Sequence, residues 1–239
     1  MKYVMLHGWA SSRASWLPIL FHLPDSHPHF IDLPGHAGAS DQITIADQLS
    51  SIEKPYILCA WSLGSLLALE YALSHPLKLT GLILFSPIAC FIAHDNWKHA
   101  MPMAVFEQFE RRFFKKPQPD FSYFRLLAAS GTLQPEKEAE KLAQLDNTLA
   151  EPSLLGLRTG LDQLKTKDVT DKLHQIKIPV LLISGSQDAL VPIHSVKDIS
   201  EQLPNAEYHA LDHVGHLPHI VAPEPCVNII LHWMQNVIV

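Results

Sequence analysis

Ser62 lies between a short apolar segment and a helix-forming segment, within the run Ala60-Trp61-Ser62-Leu63-Gly64. A serine flanked by small residues two positions away on each side is typical of a nucleophile elbow, a sharp turn from a strand into a helix. Such a turn exposes the serine hydroxyl at a helix N-terminus, where backbone N–H groups favour developing negative charge. Because Ala60 replaces the usual first glycine, the pentapeptide alone is also compatible with an ordinary surface serine.

A serine nucleophile needs a base and a group that orients the base, and both follow predicted strands. Asp188 lies in the loop after the apolar segment Val180–Ser184, and His216 lies in the loop after Glu207–Leu211. We predict that His216 accepts the Ser62 proton and that Asp188 holds the imidazole in the required tautomer. The order Ser, Asp, His along the chain is that of α/β-hydrolases.

The tetrahedral intermediate of acyl transfer also needs two backbone N–H donors, which together form an oxyanion hole. Leu63 directly follows the nucleophile and supplies one predicted donor. Trp9 supplies the other, from the loop His7-Gly8-Trp9 after the first predicted strand, where the glycine permits the backbone to turn inward.

Four histidines near the C-terminus have a spacing that resembles a metal-binding pattern: His209, His213, His216 and His219. No cysteine or carboxylate pattern accompanies them, and Pro218 interrupts any helix that could align them. We therefore expect no metal and no cofactor for the reaction.

Six β-type segments alternate with segments of helical periodicity, which predicts βαβ units and a mainly parallel sheet of about six strands flanked by helices. In such sheets, ligands bind at the carboxyl ends of the strands. The predicted strands are Tyr3–Leu6, His29–Asp32, Tyr56–Ala60, Leu82–Phe85, Val180–Ser184 and Glu207–Leu211. The predicted helices are Ala14–Leu23, Ile45–Ile52, Leu63–Leu73, His194–Leu203 and Pro225–Val237.

The alternation stops between residues 92 and 168, which predicts a helical lid inserted into a core formed by residues 1–91 and 169–239. The lid segments with helical periodicity are Met103–Phe114, Phe121–Ala129, Glu136–Leu149 and Ser153–Leu164. A basic run also falls in the lid: Arg111, Arg112, Lys115 and Lys116. This run is either a solvated helix face or a basic rim for an acidic partner.

Composition excludes several classes of protein. An apolar content of 47% and a charged content of 18% are typical of a globular chain of 239 residues, and the net charge of −6 gives no reason to expect nucleic acid as a partner. No apolar run reaches membrane-spanning length, and the N-terminus lacks a signal-peptide core. The dispersed residues Cys59, Cys90 and Cys226 are typical of reduced core thiols, so we expect a cytoplasmic protein that does not bind membranes.

The chain resembles the α/β-hydrolase superfamily along nearly its whole length, through Leu6–Trp9, Asp32–Ser40, the Ser62 elbow, Asp188 and His216. Within the superfamily it is similar to the BioH-type pimeloyl-[acyl-carrier protein] methyl ester esterases of biotin synthesis. That similarity is carried by His7-Gly8-Trp9, Trp61–Gly64, Ser86–Phe91, Asp95-Asn96-Trp97, Phe124–Leu127 and Gly131-Thr132. Two departures are the missing N-terminal hairpin and Ser65, which stands where a second glycine is common.

The resemblance implies an α/β-hydrolase fold and hydrolysis of a methyl ester on a pimeloyl chain through an acyl-enzyme on Ser62. It implies acyl carrier protein as the partner, and we expect a monomer. The implied substrate-binding residues are Trp9, Ser62, Leu63, Phe124, Arg125, Leu126, Leu127, Ala128 and His216. The alternatives are a general short-chain carboxylesterase, thioesterase or carbon–carbon hydrolase of this fold, or a slow-turnover ligand-binding protein.

Overall fold

The computed structural model describes residues 2–23, 28–53, 55–116 and 118–237, so the ends of the predicted core at residues 1, 238 and 239 lie outside the described residues. The strands are β1 (Tyr3–Leu6), β2 (His29–Ile31), β3 (Tyr56–Trp61), β4 (Leu79–Phe85), β5 (Val180–Gly185) and β6 (Ala206–Leu211). They form one sheet with the order β2-β1-β3-β4-β5-β6, in which all neighbours pair in parallel. The predicted α/β architecture is therefore confirmed.

Helices pack on both faces of the sheet. They are α1 (Leu17–Leu20), α2 (Ile45–Ser50), α3 (Leu63–Ser74), α4 (Met103–Phe113), α5 (Phe121–Ala129), α6 (Pro135–Asp146), α7 (Leu154–Thr166), α8 (Ile193–Gln202), α9 (Pro218–Val221) and α10 (Pro223–Val237). Short 3₁₀ helices cover Arg13–Trp16 and Thr170–Gln175. Among the helices of the described residues, none has both the length and the apolar character that a membrane-spanning segment needs.

Several element boundaries differ from the predictions by a few residues, and two of these differences have identifiable reasons. The predicted helix Ala14–Leu23 is a 3₁₀ turn followed by the short helix α1, because Pro18 has no N–H with which to continue the hydrogen-bond ladder. Strand β4 begins at Leu79, where it pairs with Tyr56, although Thr80 and Gly81 interrupt its apolar pattern.

The sheet is buried on both faces, as the apolar sequences of its central strands require. In β3, Leu58 and Ala60 pack on one side with aromatic residues of α4 and α5, whereas Ile57 and Cys59 pack on the other side with residues of α9 and α10. This two-sided packing holds the carboxyl ends of the strands in place.

Between β4 and β5 the chain forms α4–α7, which we call the helical insertion; apart from isolated bridges, its described residues contain no strand. The insertion packs over the carboxyl end of the sheet. Phe109, Phe113 and Phe124 surround the indole of Trp9, which follows β1, with ring centroids 4.9–5.7 Å apart. The insertion is thereby in direct contact with the strand ends where the predicted catalytic residues lie.

Candidate active site

Ser62 occupies the turn between β3 and α3 with a φ of 55°, a left-handed backbone conformation that is uncommon for a residue with a side chain. The surroundings enforce it: the Ser62 N–H donates to the Phe85 carbonyl at 3.0 Å. A Cβ at Gly64 would lie 2.5 Å from the His7 carbonyl oxygen. The glycine two residues after Ser62 is therefore needed for the close approach of α3 to the end of β1.

Ser62, His216 and Asp188 form a continuous hydrogen-bonded chain. The His216 Nε2 atom lies 2.8 Å from the Ser62 Oγ atom, and the His216 Nδ1 atom lies 2.8 Å from the Asp188 Oδ2 atom. With Nδ1 protonated towards the carboxylate, Nε2 is free to accept the serine proton. All three residues are at least 92% buried. The arrangement can therefore generate a nucleophilic serine oxygen in a site that largely excludes water.

The second carboxylate oxygen of Asp188 is also fully engaged. Asp188 Oδ1 accepts the backbone N–H groups of Leu190 and Val191, both at 2.9 Å. These two donors fix the plane of the carboxylate and leave Oδ2 directed at the imidazole. The position of the acid is thus set by the loop after β5 rather than by the histidine alone.

The loop that carries His216 is held from two sides. The His216 N–H donates to the Ala128 carbonyl in α5 at 3.2 Å, and the Trp61 indole N–H donates to the His216 carbonyl at 2.9 Å. A Cβ at Gly215 would lie 2.1 Å from the Ser130 carbonyl oxygen. The helical insertion therefore contacts the catalytic loop itself, which the sequence did not indicate.

The backbone N–H groups of Trp9 and Leu63 have no hydrogen-bond acceptor within the described part of the chain. Gly8 brings the first loop close to the elbow, since a Cβ there would lie 3.1 Å from the Ser62 Cβ atom. The Trp9 indole N–H donates to the Leu157 carbonyl of α7 at 2.8 Å. These two amides are therefore available as donors to an oxyanion.

Ser62 and His216 open into an apolar cavity of about 210 Å³ between the sheet and the helical insertion. Of the predicted substrate-binding residues, Trp9, Ser62, Phe124, Leu127 and His216 line it. The other lining residues were not predicted to bind substrate; they are Phe91, Met101, Val105, Phe106, Gln108, Phe109, Tyr123, Leu161, Leu164, Ala189 and Leu190. The apolar stripe of α4 was visible in the sequence, but such a stripe has the same pattern whether it packs on a core or lines a cavity.

Four predicted substrate-binding residues do not line the cavity. The Leu63 side chain is buried in the core, and Leu126 is 43% exposed on the outer face of α5. Ala128 is buried in the core cluster that also contains residues of α9 and α10, and its carbonyl accepts the His216 N–H. Arg125 Nε lies 3.4 Å from the Asp146 carboxylate, so its charge is paired with that group.

Asp146, at the end of α6, joins the insertion to the loop that carries Trp9. The Ser11 hydroxyl donates to Asp146 Oδ1 at 2.8 Å, while Arg125 faces Oδ2. Burial raises the pKa of Asp146, although the Ser11 hydrogen bond and the Arg125 charge oppose that rise. The buried Asp146 carboxylate therefore holds this loop at Ser11, two residues after Trp9.

The basic run lies at the end of α4 and just after it, with all four side chains exposed. Arg111 lies 3.7 Å from Glu107, and the Arg112 guanidinium sits 3.8 Å from the centre of the Tyr123 ring. Tyr123 itself lines the cavity, so the run is close to the cavity rim.

The histidines with metal-like spacing are dispersed. His209 Nε2 lies 2.7 Å from Glu207 Oε1, and His216 belongs to the triad. His219 is fully buried against the rings of Trp16 and Trp61, and burial lowers its pKa to about 3. Among the described residues these histidines do not converge on a common ligand position.

Comparisons with known proteins show the family of the chain. A family model described as alpha/beta hydrolase fold matches residues 4–223. The chain is 33% identical to a pimeloyl-[acyl-carrier protein] methyl ester esterase of Nitrosomonas europaea, over 94% of this chain and 92% of that protein. It is 30% identical to the protein of the same name in Yersinia enterocolitica, over 98% and 93% of the two chains.

Solved structures share the fold at lower sequence identity. The esterase EaEST of Exiguobacterium antarcticum superposes with a TM-score of 0.85 at 18% identity, covering 98% of this chain and 92% of that one. A bromoperoxidase of Bacillus anthracis superposes with a TM-score of 0.84 at 17% identity, covering 96% and 90%. Because one fold carries both names, the reaction must be argued from the site.

Proposed function

The chain belongs to the α/β-hydrolase family and is a carboxylic ester hydrolase, and on that premise we propose that it hydrolyses the methyl ester of pimeloyl-[acyl-carrier protein] through an acyl-enzyme on Ser62. The observation that carries the catalytic part is the chain of two 2.8 Å contacts from Ser62 through His216 to Asp188, opening into an apolar cavity. The names of the relatives support the substrate.

In the first half-reaction, Ser62 Oγ attacks the ester carbonyl while His216 Nε2 takes the hydroxyl proton. Negative charge develops on the carbonyl oxygen, which the N–H groups of Trp9 and Leu63 stabilise. Asp188 stabilises the imidazolium that forms. Collapse of the intermediate breaks the bond to the methoxy group, and His216 returns the proton so that methanol leaves.

In the second half-reaction, His216 takes a proton from a water molecule, and the resulting hydroxide attacks the acyl-enzyme carbonyl. The same two amides stabilise the second tetrahedral intermediate. Its collapse breaks the bond to Ser62 Oγ, which recovers the proton from His216. The products are methanol and the free carboxylate of the pimeloyl chain, which stays attached to its carrier.

The division of the chain follows from the same proposal: residues 1–91 and 169–239 form the catalytic core, and residues 92–168 form a lid. In the described part of the chain, the α-helices α4–α7 lie between β4 and β5, and they supply much of the cavity wall. In this proposal the apolar wall receives the methylene chain. The exposed basic run at and just after the end of α4 faces the acidic carrier near the rim, where charges act mainly on the association rate.

A general short-chain carboxylesterase is a second candidate, because about 210 Å³ is a small volume and suits short acyl groups. The two candidates differ in whether a carrier is recognised. Among the described residues, those that line the cavity include no aspartate, glutamate, lysine or arginine, so both candidates bind the uncharged ester end.

The test combines purified protein with a growth assay. We expect the protein to release methanol from methyl pimeloyl-[acyl-carrier protein] and to restore biotin-free growth to a strain without its own esterase. Ser62→Ala should abolish both activities, whereas Ser74→Ala, an exposed serine at the end of α3, should retain them. Hydrolysis of free short-chain esters without hydrolysis of the carrier-bound ester would support the second candidate instead.

A further inference from the structure

Cys90, His94 and Asp168 converge where the chain enters and leaves the helical insertion, and the proposed reaction uses none of them. The cysteine sulfur, an imidazole nitrogen and a carboxylate oxygen all lie within 4.8 Å of one another. His94 Nε2 lies 3.1 Å from Asp168 Oδ2. None of the three residues lines the catalytic cavity.

The donor set suits a borderline-soft divalent cation such as Zn²⁺, which binds thiolate, imidazole and carboxylate ligands. Metal–ligand bonds of about 2.0–2.3 Å in a tetrahedron place the ligand atoms about 3.5 Å apart. The His94–Asp168 distance of 3.1 Å is already close to that spacing, and every pair of ligand atoms lies within 4.8 Å. Cys90 is buried, whereas the side chains of His94 and Asp168 are each 40% exposed, so a cation can enter from solvent.

The backbone around these side chains is held in place. Cys90 and Asp168 form an antiparallel bridge, and the adjacent Val169 N–H donates to the Ala89 carbonyl at 3.0 Å. Asp168 Oδ1 accepts the backbone N–H and the hydroxyl of Thr170, at 2.8 and 2.6 Å. Those contacts orient the carboxylate and leave Oδ2 directed at His94. The backbone positions of Cys90 and Asp168 are therefore fixed by contacts within the protein.

We propose that Cys90, His94 and Asp168 form a Zn²⁺ site with a water molecule as the fourth ligand. Binding replaces the Cys90 S–H bond with a metal–sulfur bond, and the proton goes to solvent. The Cys90 thiol also gives up its present hydrogen bond to the Ile92 carbonyl, at 3.2 Å. The metal joins the segment that leads into the insertion to the segment that leads out of it, so its role is structural.

Co²⁺ is the probe, because a tetrahedral cobalt–thiolate site absorbs both in the near ultraviolet and in the visible range. We expect the full chain, freed of metal by a chelator, to bind one Co²⁺ with a thiolate charge-transfer band, and Zn²⁺ to displace it. Cys90→Ser should abolish the band, and His94→Gln or Asp168→Asn should each weaken Co²⁺ binding at least tenfold.

His99→Gln is the matched control, because His99 Nδ1 and Asp198 Oδ2 also form an exposed pair, 2.7 Å apart, without a neighbouring thiol. This variant should bind Co²⁺ as the unmodified protein does. Zn²⁺ should also raise the melting temperature of the unmodified protein and of His99→Gln, but not that of His94→Gln.

Several results would contradict the proposed Zn²⁺ site. One is the absence of a charge-transfer band, and another is a band that persists in Cys90→Ser, since Cys59 or Cys226 would then be the ligand. Unchanged Co²⁺ affinity in both His94→Gln and Asp168→Asn would make those residues an ordinary ion pair. His94 and Asp168 are exposed enough that their variants should fold, so the test does not depend on Cys90→Ser alone.

Discussion

Replacing Asp188 with asparagine should disable the enzyme because the loop after β5 dictates the orientation of the new amide. The Leu190 and Val191 N–H groups donate to Asp188 Oδ1, so the asparagine oxygen will occupy that position. The amide NH₂ group must then face His216 Nδ1, where the carboxylate oxygen now lies at 2.8 Å. A donor at this position selects the tautomer with the proton on Nε2, which cannot accept the Ser62 proton.

The magnitude follows from the cost of the alternative orientation. Turning the amide round restores the working tautomer but points its NH₂ group at two buried N–H donors. Each unsatisfied donor costs about 1–3 kcal/mol, so the orientation that gives the working tautomer is about 2–6 kcal/mol less stable than the other. That range corresponds to a loss of about 30-fold to 3 × 10⁴-fold, and the neutral amide also stabilises the imidazolium less. We therefore expect a loss of about 10³–10⁴-fold in kcat.

The assay is steady-state hydrolysis of a p-nitrophenyl ester, with kcat and KM measured separately. KM should change little because Asp188 does not line the cavity. Asp198→Asn provides a control, since Asp198 lies in α8 and its partner is His99 rather than a triad residue. A loss below about tenfold for Asp188→Asn in a folded protein would refute the tautomer argument.

Four further predictions address the site and its surroundings. A serine-directed fluorophosphonate should label Ser62, as read by mass spectrometry; a label elsewhere, or none on an active preparation, would remove Ser62 from the mechanism. Ser62→Ala combined with His216→Ala should lower kcat/KM little more than either change alone because triad residues act as a unit, whereas multiplied losses would contradict the triad. Burial lowers the pKa of His36 to about 4. Between about pH 6.5 and 4 this side chain is therefore protonated in the unfolded chain but not in the folded one, and it should contribute a fall of about 3 kcal/mol in the free energy of unfolding as the pH drops. Denaturant titrations should show a shallower pH dependence for His36→Gln but not for His22→Gln, an exposed control; equal slopes would refute the assignment. Reversing the charges of the basic run should lower kcat/KM for the carrier-bound ester, as added salt should, and leave a p-nitrophenyl ester nearly unaffected; equal losses on both substrates would indicate a disturbed insertion. The reversed residues are Arg111, Arg112, Lys115 and Lys116.

The sequence predicted the sheet and the identity of the candidate triad because these depend on local signals. Each of Ser62, Asp188 and His216 follows a recognisable strand, and parallel strands bring their carboxyl ends to one edge. The close approach of the backbone at Gly64 and Gly215 is also consistent with the residue type, because only glycine fits against a carbonyl at such short distances.

The cavity wall and the buried polar contacts could not be predicted in this way, because they depend on how the insertion sits on the core. Phe109 and Leu161 line the cavity, while Leu126, which belongs to the same apolar pattern as Leu127, is exposed. Asp146 lies in an acidic helix and gave no sign that it would be buried against Ser11. The Ser11–Asp146 contact joins residues 135 positions apart, beyond the reach of any periodicity.

The contacts between the insertion and the catalytic loops have a consequence for how this part of the chain can diverge. The insertion holds the His216 loop through the Ala128 carbonyl and holds the Trp9 side chain through the Leu157 carbonyl. Every residue type has a carbonyl, so these two supports by themselves place no demand on the side chains of Ala128 and Leu157. Gly160 in α7 is constrained separately, because a Cβ there would lie 2.4 Å from the Trp9 ring. A substitution in the cavity wall can therefore alter the space for an acyl group without removing either of these two supports.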